Sequence, residues 1–120
     1  MSQALTHASF GPAAKALRAL GDPGRLRLLA LISRRELCVC HLISALKQPQ
    51  PTVSRQLGVL KAAGLVQARR DGSWVHYRLA TRLEPTAAAV LKAFLGQLDR
   101  AALDAETQAL VRKLGPGACR

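Results

Sequence analysis

Apolar positions recur at helical spacing through most of the chain, and alternation replaces that spacing only between Leu65 and Ala80. Pro12 to Leu20 (PAAKALRAL) predicts a short amphipathic helix, with Pro12 in its first turn and Gly21 ending it. Asp22-Pro23 opens a second helix, Asp22 as N-cap and Pro23 at the first helical position, with Leu26, Leu29, Ala30 and Ile32 on its buried face. The stretch ELCVCHLISAL leads into a third helix over 39–46, striped by Leu42, Ile43 and Leu46. After the break KQPQP, a fourth helix runs from Pro51 to Ala63, closed by Gly64. Its Val53, Leu57 and Leu60 face the core, while Thr52, Ser54, Arg55, Gln56 and Lys61 lie on other faces.

The alternating run LVQARRDGSWVHYRLA flanks Asp71-Gly72, a hairpin-turn dipeptide. Val75, Tyr77 and Leu79 alternate with Trp74, His76 and Arg78, so one face packs on the helices and the other meets solvent. Pro85 to Leu114 is a long helical stretch lined by Leu91, Phe94, Leu98 and Ala102, with a break predicted near Ala102 and Asp104 as its cap. Residues 1–11 read as an N-terminal arm and residues 115–120 (GPGACR) as a frayed tail. The fold class is mainly α with a small β-hairpin: one domain over 1–120, in which the third and fourth helices form a helix-turn-helix and the hairpin its wing.

Charge sharpens this picture. Eighteen Lys/Arg against seven Asp/Glu give a net charge of +11, and between Leu37 and Leu83 seven basic residues face a single acid, Asp71. Such a one-sided segment attracts a polyanion, and double-stranded DNA fits the helix order. In a helix-turn-helix the start of the second helix meets base edges. That points to Gln50, Thr52, Ser54, Arg55 and Gln56, where Arg can pair with guanine and Gln with adenine. Lys61, Arg69 and Arg70 suit phosphate contacts. Arg25, Arg27, Arg34 and Arg35 read as a solvated face or dimer-surface charges, Trp74 as a pin between wing and body, and His41 and His76 as surface residues. No run is long and apolar enough to span a bilayer and no secretory signal is present, so the expectation is a cytoplasmic protein without membrane contact.

Three cysteines make an odd set for a cytosolic chain and argue against a disulfide framework. Cys38 and Cys40 are packing residues, a redox pair or metal ligands. Residues i and i+2 of a helix lie about 200° apart, whereas in an extended segment they share a face. Joint ligation by Cys38 and Cys40 therefore needs a non-helical start to the third helix, or unwinds it. A thiol enzyme is disfavoured, because no βαβ pattern, Cys-x-x-Cys or Gly-rich anion loop accompanies the thiols.

The strings LGDPGRLRLLALI, ELCVCHL and QPTVSRQLGVLKAAGLVQARRDGSWVHYRL together resemble the ArsR/SmtB family of bacterial metal-sensing repressors, most of all its arsenic-responsive branch, over about Ala13 to Leu114. The resemblance implies a homodimeric winged helix-turn-helix repressor that leaves its operator when a thiophilic ion binds. The dimer would close through the first and last helices, with Leu17, Leu91, Phe94 and Leu98 at the interface. The implied inducer is As(III), and also Sb(III), bound by Cys38 and Cys40. Arsenic sensors often read ELCVCDLC, but here Ile43 stands where their third thiol lies and His41 replaces the acid. The third ligand is then Cys119, a small-molecule thiol or hydroxide. The alternative is a divalent-metal (Cd, Pb or Zn) or redox sensor of the same fold using the same thiols. His7 and His41 could join a weaker divalent site, whereas the last helix lacks the histidines of the zinc branch.

Overall fold

The computed structural model of the chain describes residues 6–114. Six helices and a three-stranded antiparallel sheet follow the order α1 (His7–Leu20), α2 (Pro23–Arg34), β1 (Leu37–Cys38), α3 (Val39–Leu46), α4 (Gln50–Ala62), β2 (Val66–Asp71), β3 (Trp74–Leu79), α5 (Pro85–Leu95) and α6 (Arg100–Leu114). The winged helix-turn-helix architecture is present, with a third strand added to the expected hairpin.

The first helix begins at His7, so the arm expected over 1–11 is already helical by its seventh residue. Thr6 and Ser9 explain this. The Thr6 hydroxyl accepts from the Ser9 amide at 3.3 Å, and the Ser9 hydroxyl accepts from the Thr6 amide at 3.0 Å. This reciprocal cap nucleates the helix a turn before Pro12, which then sits inside it at the expense of one backbone hydrogen bond. The second helix starts as expected, Asp22 accepting from the Arg25 amide at 3.0 Å. Lys47 ends α3 in the left-handed region (φ 54°), its amide donating to the Ile43 carbonyl at 2.9 Å. Only residues 47–49 separate α3 from α4, the tight connection a helix-turn-helix requires.

Two turns differ from expectation. Asp71 pairs with Trp74, so the hairpin loop is Gly72-Ser73 rather than Asp71-Gly72. Gly72 takes φ +63° and Ser73 is not among the positive-φ residues, the pattern of a turn with glycine at its first central position. The C-terminal stretch breaks at residues 96–99 rather than near Ala102, and the cap is Asp99, which accepts from the Ala102 amide at 3.0 Å. Asp104 instead binds Arg34. The break lets α6 fold back onto α2 and α3 while α5 packs along α1.

The core collects Leu28, Leu29 and Leu31 of α2, Leu37 of β1, Leu42 of α3, Val53, Leu57 and Leu60 of α4, and Leu65, all fully buried. Thus α4 enters the core along the Val53–Leu57–Leu60 stripe, and its opposite face is free for a ligand. Leu91 also lies in the core of this one chain, only 2% exposed, and so cannot supply a dimer contact. Phe94 and Leu98 are half-buried, lining the groove between α2 and α6. Of the expected interface residues only Leu17 is freely exposed, and the sequence pattern did not single out the other exposed apolar residues Phe10 on α1 and Val90 on α5.

Candidate nucleic-acid interface and thiol site

The exposed face of α4 carries Gln50, Ser54, Arg55 and Lys61, with Thr52 half-buried at its edge. The wing extends beside it. Only Val66 of β2 is buried, and Arg69 and Arg70 are exposed. These two arginines are not equivalent. The Nη2 of Arg69 donates to Glu36 Oε1 at 2.5 Å and its Nε to Oε2 at 3.4 Å, with Asp71 4.0 Å away. The Arg69 hydrogen bond, with a smaller contribution from its charge, holds the Glu36 carboxyl below its ordinary pKa despite partial burial. Arg70 has no ion pair among the described residues, so its charge is uncompensated.

Gln56 departs from the reading face. Its Oε1 accepts from Arg25 Nη1 at 2.9 Å and its Nε2 donates to Asp22 Oδ2 at 3.1 Å. Both ends of the amide are engaged by side chains of this chain, unlike the free amide expected at a base-contacting position. Arg25 is likewise not the solvated charge expected, since its guanidinium also donates to the carbonyls of Ala19 (2.7 Å) and Arg18 (3.0 Å). Arg27 pairs with Glu106 and Arg34 with Asp104 (2.6 Å), tying α2 to α6.

The cysteines occupy different environments. Cys38 ends β1 in extended conformation (φ −85°, ψ 164°) as the residue before α3, is fully buried, and is free. Its register partner is His76. Cys40 lies in the first turn of α3 and lines a cleft of about 290 Å³ with Val39, Ile43, Gln50, Ser54, Ser73, Val75 and Tyr77. It is disulfide-bonded. The non-helical start that joint ligation needs is thus met at Cys38 but not at Cys40. The cleft ties the thiol segment to the candidate DNA surface, because Gln50 and Ser54 share its wall.

His41 is buried rather than exposed as expected, and its Nδ1 accepts from the Cys38 amide at 3.1 Å. A ring accepting at Nδ1 carries its proton at Nε2, and it ties α3 to the Leu37–Cys38 peptide at the end of β1. Trp74 is half-buried, with its indole nitrogen inside and lacking a partner among the described residues, in keeping with a pin rather than a stacking platform. Cys119 lies outside the described residues, and among those described no cluster of three metal-ligating side chains exists.

A family model described as bacterial regulatory protein, arsR family, matches residues 22–68, spanning α2 to the wing's first strand. An uncharacterized HTH-type transcriptional regulator of Methanocaldococcus jannaschii is 48% identical over 69 residues, which are 57% of this chain and 78% of that protein. The chain belongs to the ArsR family. The arsenical resistance operon repressor of Escherichia coli, another relative, is 45% identical over 73 residues, covering 60% of this chain and 62% of that repressor, somewhat under two thirds of its length. Among solved structures, the homodimeric winged helix-turn-helix DNA-binding domain of Mb0332 from Mycobacterium bovis superposes with a TM-score of 0.65 at 28% identity, covering 83% of this chain and 94% of that one. As an ArsR-family chain it is a transcriptional regulator of the DNA-binding type, and a non-enzymatic role is consistent with its relatives. No helix among the described residues is long and apolar enough to cross a membrane.

Proposed function

We propose that the protein is a cytoplasmic homodimeric repressor of an arsenic-resistance operon, released from double-stranded operator DNA when As(III), or Sb(III), binds Cys38 and Cys40. The observation that carries this reading is the cleft that places the Cys40 segment against Gln50 and Ser54 of the recognition helix. Gln50, Thr52, Ser54 and Arg55 contact bases, and Lys61 and Arg70 contact phosphates, joined by Arg69 if it leaves Glu36. The donor chemistry fits, since thiolates suit soft ions. Cys38 is buried and α3 starts immediately after it, so the two sulfurs do not share a face. Bringing both sulfurs to one ion requires the first turn of α3 to unwind, and that turn borders the DNA-reading face. Ion binding then lowers DNA affinity by its preference for the unwound shape. Cys119 is the proposed third ligand.

The disulfide at Cys40 favours a second reading, a redox-responsive repressor in which two thiols lose two electrons and two protons to an oxidant such as a peroxide. Fluorescence anisotropy of a labelled duplex from upstream of the gene separates the two. With reduced protein, near-stoichiometric arsenite should release the DNA, and Cys38→Ser or Cys40→Ser should bind DNA but resist release. Release by peroxide alone, reversed by dithiothreitol, would establish the redox reading instead. Release by cadmium or zinc but not arsenite would move the protein to a divalent-metal role.

A further inference from the structure

Gln56 occupies a recognition-helix position from which it could read adenine, yet its side chain turns toward the α1–α2 corner. Its orientation is chemically determined. The guanidinium of Arg25 can only donate, so Oε1 must face Arg25, and Nε2 then donates to the Asp22 carboxylate, which also accepts from the Arg25 amide. Arg25 in turn gathers the last carbonyls of α1, that of Ala19 and that of Arg18, which also accepts from the Gly21 amide at 3.2 Å, at a helix end where a cation is favoured. Asp22 closes the ring by capping α2 through the Arg25 amide. Gly24 leaves room for this bridge, because a β-carbon there would lie 3.2 Å from Asp22 Oδ2 and 3.5 Å from Gln56 Nε2.

We propose that Gln56 is a positioning residue rather than a base reader: with Arg25 and Asp22, in the space left by Gly24, it latches the recognition helix to the α1–α2 corner and sets DNA affinity without reading sequence. The latch lies between α4 and α1, the helix that packs on α5 and carries exposed Leu17, so it joins the candidate dimer surface to the DNA surface. This inference rests on the DNA-binding reading above.

The test measures affinity for the upstream duplex and for a panel of single-base-pair variants of it. Gln56→Ala should weaken binding to every duplex by a common factor of roughly 5–30, the effect of losing two part-buried hydrogen bonds, one of them to a charged guanidinium. Arg25→Ala should do the same, and the double variant should fall no further than the weaker single one. Gln56→Glu sets a second carboxylate against Asp22 and should weaken binding similarly. Combining Gln56→Glu with Asp22→Asn removes the carboxylate repulsion and should recover part of the affinity, the rest being lost because Asp22 Oδ2 also caps the Arg25 amide. Recovery on adding a second substitution is an outcome that general misfolding does not produce. Loss of discrimination at one base pair, with affinity for the others unchanged, would make Gln56 a base reader and overturn the proposal. If the unmodified protein binds no duplex, the DNA reading fails by itself. Hydrogen exchange of α4 amides in the free protein then judges the latch: faster exchange in Gln56→Ala and Arg25→Ala, not additive in the pair, upholds it, and unchanged exchange overturns it.

Discussion

Replacing Glu36 by Gln should convert Arg69 from an internally compensated charge into a DNA-binding one. The two-point contact of 2.5 and 3.4 Å to Glu36 keeps the Arg69 guanidinium off the list of free phosphate ligands, whereas the neighbouring Arg70 has no such partner among the described residues. Each phosphate neutralised contributes about 0.9 to the slope of log affinity against log salt. The Glu36→Gln protein should therefore bind the duplex more tightly at low salt, with a slope steeper by about 0.9. Over a fourfold rise in salt, such as about 50 to 200 mM, it should lose roughly 3.5-fold more affinity than the unmodified protein. Anisotropy titrations at four or five salt concentrations read this directly. Arg70→Ala should flatten the slope by about 0.9, and Arg69→Ala by much less. The pair is half-exposed and screened by solvent, so folding survives its loss. If Glu36→Gln leaves the slope unchanged while Arg69→Ala lowers it by the full amount, Arg69 swings from Glu36 to a phosphate on binding and the reasoning from the free protein is refuted.

The same carboxylate has a pH signature. Because Arg69 lowers its pKa, the stability it contributes is present at neutral pH and is lost as pH falls below the ordinary value of 4.5 through the lowered one. Urea midpoints of the unmodified and Glu36→Gln proteins should thus differ at pH 7 and converge in acid. Leu57→Ala, at a fully buried position on the core side of α4, should cost about 2–5 kcal/mol in urea unfolding. Leu17→Lys should weaken self-association in sedimentation while leaving the helical circular dichroism intact, whereas Leu91→Lys, inside the single-chain core, should unfold the protein. A dimer unaffected by Leu17→Lys would move the interface away from α1.

Local signals determined much of this protein. The helix-turn-helix, the 39–46 helix, the hairpin and the Val53–Leu57–Leu60 core stripe follow from periodicity, caps and turn residues, which act over a few positions and are visible in a linear string. The outward-facing position of Ser54 and Arg55 follows by exclusion from that stripe. Tertiary structure decided what depends on residues distant in the chain. β1 is two residues long, too short for alternation to register, and exists because Leu37 and Cys38 pair with Tyr77 and His76. The break at 96–99 places Asp104 against Arg34 rather than at a helix start. Gln56 and Arg25, 31 positions apart, and Arg69 and Glu36, 33 apart, each looked like free polar groups until folding joined them. Periodicity tells which face of an element is buried, but which charged or amide groups are consumed within the protein, and which remain for a ligand, is settled only when those faces meet.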